Sequence, residues 1–347
     1  MRKPLLPRAL ALAFAAALAA SGALAERTVA WAGRPFAKGA DLSRLSELES
    51  KGRKFLAEDG LKSDIFPVLR GYSVNAARFR VYLAPDGGWC GTKDTLEKAY
   101  RARTAGMDLM VAFQYSDVAA GLGAQTPPRA WDGYGAEDMV IAASNHTAFV
   151  LSWMKKWGIE PRWVQIGNET ADGMLWPVAR LSTCPREYAE VFAACRAAVK
   201  SVFPRAMIVL HVGRADDVAA AERCIGTLFD NDLRFDIAGF SLFPERDAQD
   251  GEDCDDYMKR CLANVERVSQ TWNCETMILE TGFENSPRMY EDSRQRLSFL
   301  VWSARQMRRC RGVFYYEPEC RPRADGSKFG AFDEMGRATP ILEGFRE

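Results

Sequence analysis

Eight short apolar runs, alternating with stretches of helical spacing, succeed one another between Arg34 and Glu319. The runs read as strands at Arg34–Ser43, Ala76–Leu83, Asp108–Ser116, Trp163 to the stop at Gly167, Ala206–Val212, Asp236–Pro244, Glu275–Gly282 and Gly312–Glu319. Between them, Asp59–Gly71, Thr92–Gly106, Glu137–Gly158, Pro185–Phe203, Asp217–Phe229, Asp253–Trp272 and Ser286–Arg309 carry apolar residues at helical spacing. Parallel strands need a long crossover, usually a helix, to reach the next strand. Eight such repeats imply closure into an α/β (β/α)8 TIM barrel. An open doubly wound sheet is the alternative, but no G-x-G-x-x-G follows the first strand.

At 347 residues the chain has room for one barrel of roughly 250 residues with insertions. No low-complexity linker interrupts it, so residues 26–347 are expected to form a single domain. The first 25 residues differ. Arg2, Lys3 and Arg8 precede an apolar run that Ala23-Leu24-Ala25 closes, the pattern of a secretory signal cleaved after Ala25. The run is shorter than the ~20 residues of a membrane span. The protein is therefore expected to be secreted or periplasmic and to have no membrane span.

Basic and acidic residues balance at 46 each, which gives no reason to expect a nucleic-acid partner. Nine cysteines make disulfides possible in an exported chain, but the odd count leaves at least one unpaired. With only His146 and His211 and no C-x-x-C, no metal site and no cofactor are expected. His146, inside a helix, reads as a packing or surface residue.

Polar residues gather where the strands end: Asp41, Arg78 and Arg80, Gln114 and Tyr115 with Asp117 just beyond, Asn168 and Glu169, His211, Glu280, and Tyr316 with Glu317. In a barrel these ends converge on one rim. Arg78 and Arg80 lie two apart and so share a face of their strand. Glu169 and Glu280 end the fourth and seventh strands, and two carboxyls flanking a cleft are what glycoside hydrolysis needs. Asn168 beside one of them can hydrogen-bond a sugar hydroxyl. The arginines can keep Glu280 ionised.

The chain resembles glycoside hydrolase family 53, the arabinogalactan endo-β-1,4-galactanases, over nearly all of its length past the leader. The resemblance rests on NAARFRVYLAPDGGWCG (Asn75–Gly91), QYSD (Gln114–Asp117), WVQIGNETADGMLWP (Trp163–Pro177), GFSLFP (Gly239–Pro244), ILETG (Ile278–Gly282) and GVFYYEPE (Gly312–Glu319). It implies Glu169 as acid/base and Glu280 as nucleophile of a retaining reaction, with Asn168 on the sugar's 2-hydroxyl. Arg78 or Arg80 would steady the nucleophile, His211 would line the site, and Trp176 would floor a sugar ring. Asp41, Gln114, Asp117 and Tyr316 complete the expected substrate contacts. The implied partner is a polysaccharide, the β-1,4-galactan side chains of pectin, met by a monomer.

The chain departs from the family pattern at Gln114, usually His, and at Tyr316, usually Trp. Asp117–Gln125 (DVAAGLGAQ) lacks the family's tryptophan and acid, and Phe243 has no hydroxyl where a tyrosine is usual. Glu245 and Arg246 stand where a tryptophan is usual. These departures leave two alternatives: a galactan-binding barrel with little catalysis, and a relative shifted to another β-linked glycan.

Overall fold

The computed structural model describes residues 35–322 and 324–346. The leader expected at 1–25 lies outside the described residues. Eight parallel strands form the wall: β1 (Ala37–Asp41), β2 (Ala76–Val81), β3 (Asp108–Phe113), β4 (Trp163–Ile166), β5 (Met207–Arg214), β6 (Ile237–Leu242), β7 (Glu275–Thr281) and β8 (Cys310–Tyr316). They pair in the order β1-β8-β7-β6-β5-β4-β3-β2, and β2 closes on β1. The fold is a (β/α)8 barrel, as the alternation predicts. Seven of the described helices make the main crossings between strands: α1 (Ile65–Gly71), α2 (Thr92–Thr104), α3 (Ala136–Lys156), α4 (Pro185–Val202), α5 (Val218–Asp230), α6 (Cys254–Trp272) and α7 (Tyr290–Gln306).

The barrel interior is packed, and its packing sets the floor beneath the rim. Successive strand residues point to opposite faces, so Trp163 and Gln165 of β4 face inward together. Trp163 meets Phe314 of β8 edge to face, with ring centroids 6.1 Å apart. These two strands stand on opposite sides of the closed order, so the contact spans the interior. Phe314 has room because its β1 partner in register is Gly39. A Cβ there would lie 2.1 Å from the phenyl ring. Gly39→Ala is expected to destabilise by about 3 kcal/mol, the upper end of core overpacking, which thermal denaturation reads directly.

Several boundaries differ from those the sequence suggests. The helix expected from Asp59 begins at Ile65, where the Asp64 carboxylate accepts from Phe66 N at 3.3 Å. Asp59 instead takes the Leu61 N–H at 2.9 Å, and Gly60 has φ +80°, so together they turn a small hairpin of Phe55–Leu56 with Lys62–Ser63. The eighth strand stops at Tyr316 rather than Glu319, because Glu317 turns the chain with φ 48°. Among the described residues no further α-helix follows β8. A 3-10 turn, Pro340–Phe345, closes the ring against α7, where a Cβ on Gly344 would lie 2.7 Å from the Arg294 carbonyl. None of the nine cysteines is bonded to another. His146 is buried among Phe113, Tyr115 and Trp131, and burial pushes its imidazole down to about 4. Among the described residues no helix is long and apolar enough to cross a membrane.

Candidate active site

Arg78 organises the rim. Its side chain is fully buried, and it donates through Nη1 to Asp41 Oδ2 at 2.6 Å and to Glu280 Oε1 at 2.8 Å. Its Nε reaches Gln165 Oε1 at 3.0 Å and its Nη2 reaches Asn168 Oδ1 at 2.8 Å. One planar guanidinium therefore ties together the ends of β1, β2, β4 and β7, a use of the arginine fork that a lysine cannot reproduce. Burial alone would raise the Asp41 carboxyl, but the Arg80 and Arg78 charges and the Ser43 hydrogen bonds hold it below the usual range. Glu280 shows the opposite balance. Burial pushes it up to about 7 against the pull of Arg78, and the charge of Glu169 adds to the rise.

Glu169 follows β4 in the left-handed region, at φ 48° and ψ 53°. A non-glycine residue there is strained, and such strain persists only where the surroundings hold it. Gly167, at φ 74°, starts the turn, and the Gln165 amide donates to its carbonyl at 2.8 Å. Gln125 of the loop after β3 donates to the Asn168 carbonyl at 2.7 Å. These bonds aim the Glu169 carboxyl over the rim, where Oε1 lies 2.8 Å from the Ser241 hydroxyl oxygen. Its Oε2 lies 3.4 Å from the Leu122 N–H. The same loop packs closely, since a Cβ on Gly121 would lie 3.0 Å from Glu169 Oε2. Ser241 stands beside Glu280 in the β6–β7 register, so β6 touches both carboxyl-bearing strand ends.

The other expected residues divide into two groups. Asn168 and His211 join the centre: His211 Nδ1 lies 2.9 Å from Asn168 Oδ1, and His211 Nε2 lies 3.0 Å from Ser241 Oγ. Asn168 Nδ2 donates to the Ala120 carbonyl at 2.9 Å, which leaves one amide N–H for a ligand. Gln114 accepts from Ala120 N at 3.2 Å, and its buried Nε2 has no hydrogen-bond partner among the described residues. Arg80 turns away from Glu280. It pairs with Glu317, lies 3.6 Å from Asp41, and donates to the Tyr316 hydroxyl at 3.1 Å. Of the two arginines, only Arg78 holds Glu280.

Asp117 is occupied in holding two loops, accepting from Ala84 N at 2.9 Å and Arg129 N at 3.0 Å. Trp176 is half-buried, and the Arg180 guanidinium lies 4.4 Å from its ring centroid. That face is taken by a cation. Phe243 packs edge to face on Tyr316 at 5.8 Å and tilted on Phe329 at 5.2 Å. Arg246 covers it at 4.1 Å from the ring centroid. Gln165, Ser241 and Gln125 also belong to the centre, although none is a strand-end residue that the sequence pattern marks. Gln165 and Ser241 were visible as lone polar residues inside apolar strands, WVQI and GFSLF.

The family model described as Glycosyl hydrolase family 53 matches residues 37–345. Among curated relatives, a Bacillus subtilis endo-β-1,4-galactanase is 26% identical over 258 residues, 72% of this chain and 57% of that one. An arabinogalactan endo-β-1,4-galactanase of Thermothelomyces thermophilus is 24% identical over 336 residues, 89% of this chain and 98% of that one. The first curated relatives are matched over 57–60% of their own length. Among solved structures, a family 53 catalytic domain from Ignisphaera aggregans superposes with a TM-score of 0.81 at 24% identity, covering 90% of this chain and 97% of that one. That likeness speaks to the fold.

Proposed function

The chain belongs to Glycosyl hydrolase family 53, and on that premise we propose that it is an exported endo-β-1,4-galactanase working with retention. The observation that carries the division of labour is the unequal setting of the two carboxyls. Glu280 is clamped by a guanidinium at 2.8 Å, whereas Glu169 meets a neutral hydroxyl and a backbone N–H. The Arg78 guanidinium opposes the rise that burial imposes on Glu280 and so favours the ionised form a nucleophile needs.

Glu280, held through Oε1, keeps Oε2 to attack the anomeric carbon. As that bond forms, Glu169 gives its proton to the glycosidic oxygen and the leaving chain departs. A galactosyl ester on Glu280 remains. Glu169, now ionised, takes a proton from water as that water attacks the anomeric carbon. The ester bond to Glu280 breaks, and the sugar leaves with its original configuration. The remaining N–H of Asn168 is proposed to meet the 2-hydroxyl, and the Gln114 amide to offer a second donor.

The proposed substrate is β-1,4-galactan, the class named for the curated relatives, and the pectin side chains are its proposed natural form. The chain is proposed to act as a monomer and to lose residues 1–25 on export, which N-terminal sequencing of the mature protein tests. Incubation with a panel of β-linked plant glycans, followed by assay of new reducing ends, tests the activity. Galactan is the glycan expected to be cleaved, and Glu280→Gln is expected to lower the rate by at least ~10⁴-fold. Cleavage of a different glycan would overturn the substrate, and binding without cleavage would overturn the enzyme reading. An initial product of inverted configuration would overturn retention.

One observation favours the reading of a shifted relative. Arg246, beside the centre and felt by both Glu169 and Glu280, places a cation where the family usually has a stacking tryptophan. The same panel decides it.

A further inference from the structure

We propose that Ser241 and His211 form a positioning pair that holds the proton of Glu169 in the resting site and releases its carboxylate by turning one hydroxyl. The proposal rests on the acid/base reading of Glu169, and its argument is one of counting hydrogens. Arg78 Nη2 can only donate, so the Asn168 atom 2.8 Å from it is the amide oxygen. Gln165 Nε2 donates to the same oxygen at 3.0 Å, and Asn168 Nδ2 faces the Ala120 carbonyl, which fixes the same orientation twice more. His211 Nδ1, 2.9 Å from that oxygen, must therefore carry a hydrogen.

The imidazole is fully buried, and burial together with the Arg78 charge keeps it well below its usual range and so neutral. Its single hydrogen is on Nδ1, and Nε2 is left with a lone pair. Ser241 Oγ lies 3.0 Å from that nitrogen and 2.8 Å from Glu169 Oε1. It has one hydrogen to offer and two neighbours.

Only one protonation state of Glu169 satisfies all three groups. When Glu169 carries its proton, it donates to Ser241 Oγ and the serine donates to His211 Nε2. When Glu169 is ionised, the serine must choose. Donating to the carboxylate leaves a buried Nε2 unpartnered, and donating to Nε2 sets two oxygens face to face without a hydrogen. An unsatisfied buried acceptor is costly, so the network favours the acid form that the first step needs. The second step needs the other arrangement, and rotation about one C–O bond supplies it.

The local chain geometry is built for this contact. Register shifts on both flanks of β6, between Gly239 and Phe240 against β5 and between Phe240 and Ser241 against β7, re-aim Ser241. The other charges near Glu169 are Glu280 across the cleft and Arg246 from the loop after β6. The charge that acts on His211 is that of Arg78, itself tied to Asp41 and Glu280. Neither Glu280 nor Arg246 supplies a hydrogen to His211 Nε2, whose contact is with Ser241 Oγ.

Two histidines make the test direct. In protein labelled with ¹⁵N-histidine, His146→Gln assigns the two imidazoles, with His146→Asn as the second choice should the first not fold. His211 is expected to show a protonated Nδ1 and an unprotonated Nε2 across neutral pH. The Nε2 shift is expected to move once on the alkaline side, together with the alkaline limb of kcat/KM, and to stay still in Glu169→Gln, whose amide mimics the donor. An Nε2–H tautomer, a charged His211, or a step that persists in Glu169→Gln overturns the pair. In kinetics, Ser241→Ala is expected to lower kcat about tenfold and move the alkaline limb to lower pH, with both restored in Ser241→Thr. A limb unmoved in Ser241→Ala would also overturn it. Because the imidazole signals need no turnover, they separate failure of the pair from failure of the acid/base assignment.

Discussion

Arg78→Met is expected to lose both activity and stability. The substitution keeps an unbranched stem of similar reach but leaves Asp41 and Glu280 buried without their shared counter-charge. Removing one partner of a buried pair typically costs ~3–5 kcal/mol, and here Asn168 and Gln165 lose a donor as well. The sign of the pH effect follows from Glu280. Burial already pushes that carboxyl up to about 7, and Arg78 is the main opposing pull. Without it Glu280 holds its proton to higher pH, so a smaller fraction is ionised and able to attack at neutrality. On the proposed mechanism the acidic limb of kcat/KM tracks the ionisation of Glu280, so it should move to higher pH. Arg78→Lys should fall between the two, since it keeps a charge and loses the fork. Thermal denaturation and a pH–rate profile on the same preparations check both parts. An acidic limb that stays in place would remove Arg78 from the ionisation of Glu280.

The barrel was legible because its eight strands are each an apolar run closed by a turn residue, and the helices between them share one period. Local signals failed where a turn outweighed a helix pattern. Asp59-Gly60 is better at reversing the chain than at starting α1, which leaves Asp64 as the cap. The candidate site was legible only at strand ends. Arg78 and Arg80 look alike from spacing, and their separation comes from what each meets across the barrel: Glu280 for one, Glu317 for the other. Asp117 and Trp176 carry family patterns, but partners distant in sequence, Ala84 and Arg129 for the first, and near ones, Arg180 for the second, occupy them. Gln165 and Ser241 sit inside strands, where a lone polar residue is easily passed over. A polar side chain on the inward face of a buried strand must find a partner in the barrel. In a packed interior that partner is most often at the rim, so such residues are the ones to seek next in sequences of this kind.

If Glu169 is the acid/base proposed above, Glu169→Ala separates proton donation from the other contributions. General acid help is typically worth ~10²–10⁴-fold, and its value depends on how badly the departing oxygen needs a proton. The hydroxyl leaving a galactan chain needs it fully, so hydrolysis of the polysaccharide should fall by about that factor. A nitrophenolate leaves without a proton. An aryl β-galactoside that the site accepts should therefore still load Glu280, releasing phenolate in a rapid burst, and then stall because no base draws a proton from water. Azide needs no base, so it should speed the second step and give the β-galactosyl azide, the configuration expected when a covalent ester on Glu280 is displaced from the opposite face. In Glu280→Ala the same anion would attack the unloaded sugar once and give the α-product. The two azides are distinguished by the anomeric coupling in proton NMR. An α-azide from Glu169→Ala, or equal losses on galactan and on the aryl galactoside, would assign the proton to a different residue and leave the Ser241 contact without a donor to hold.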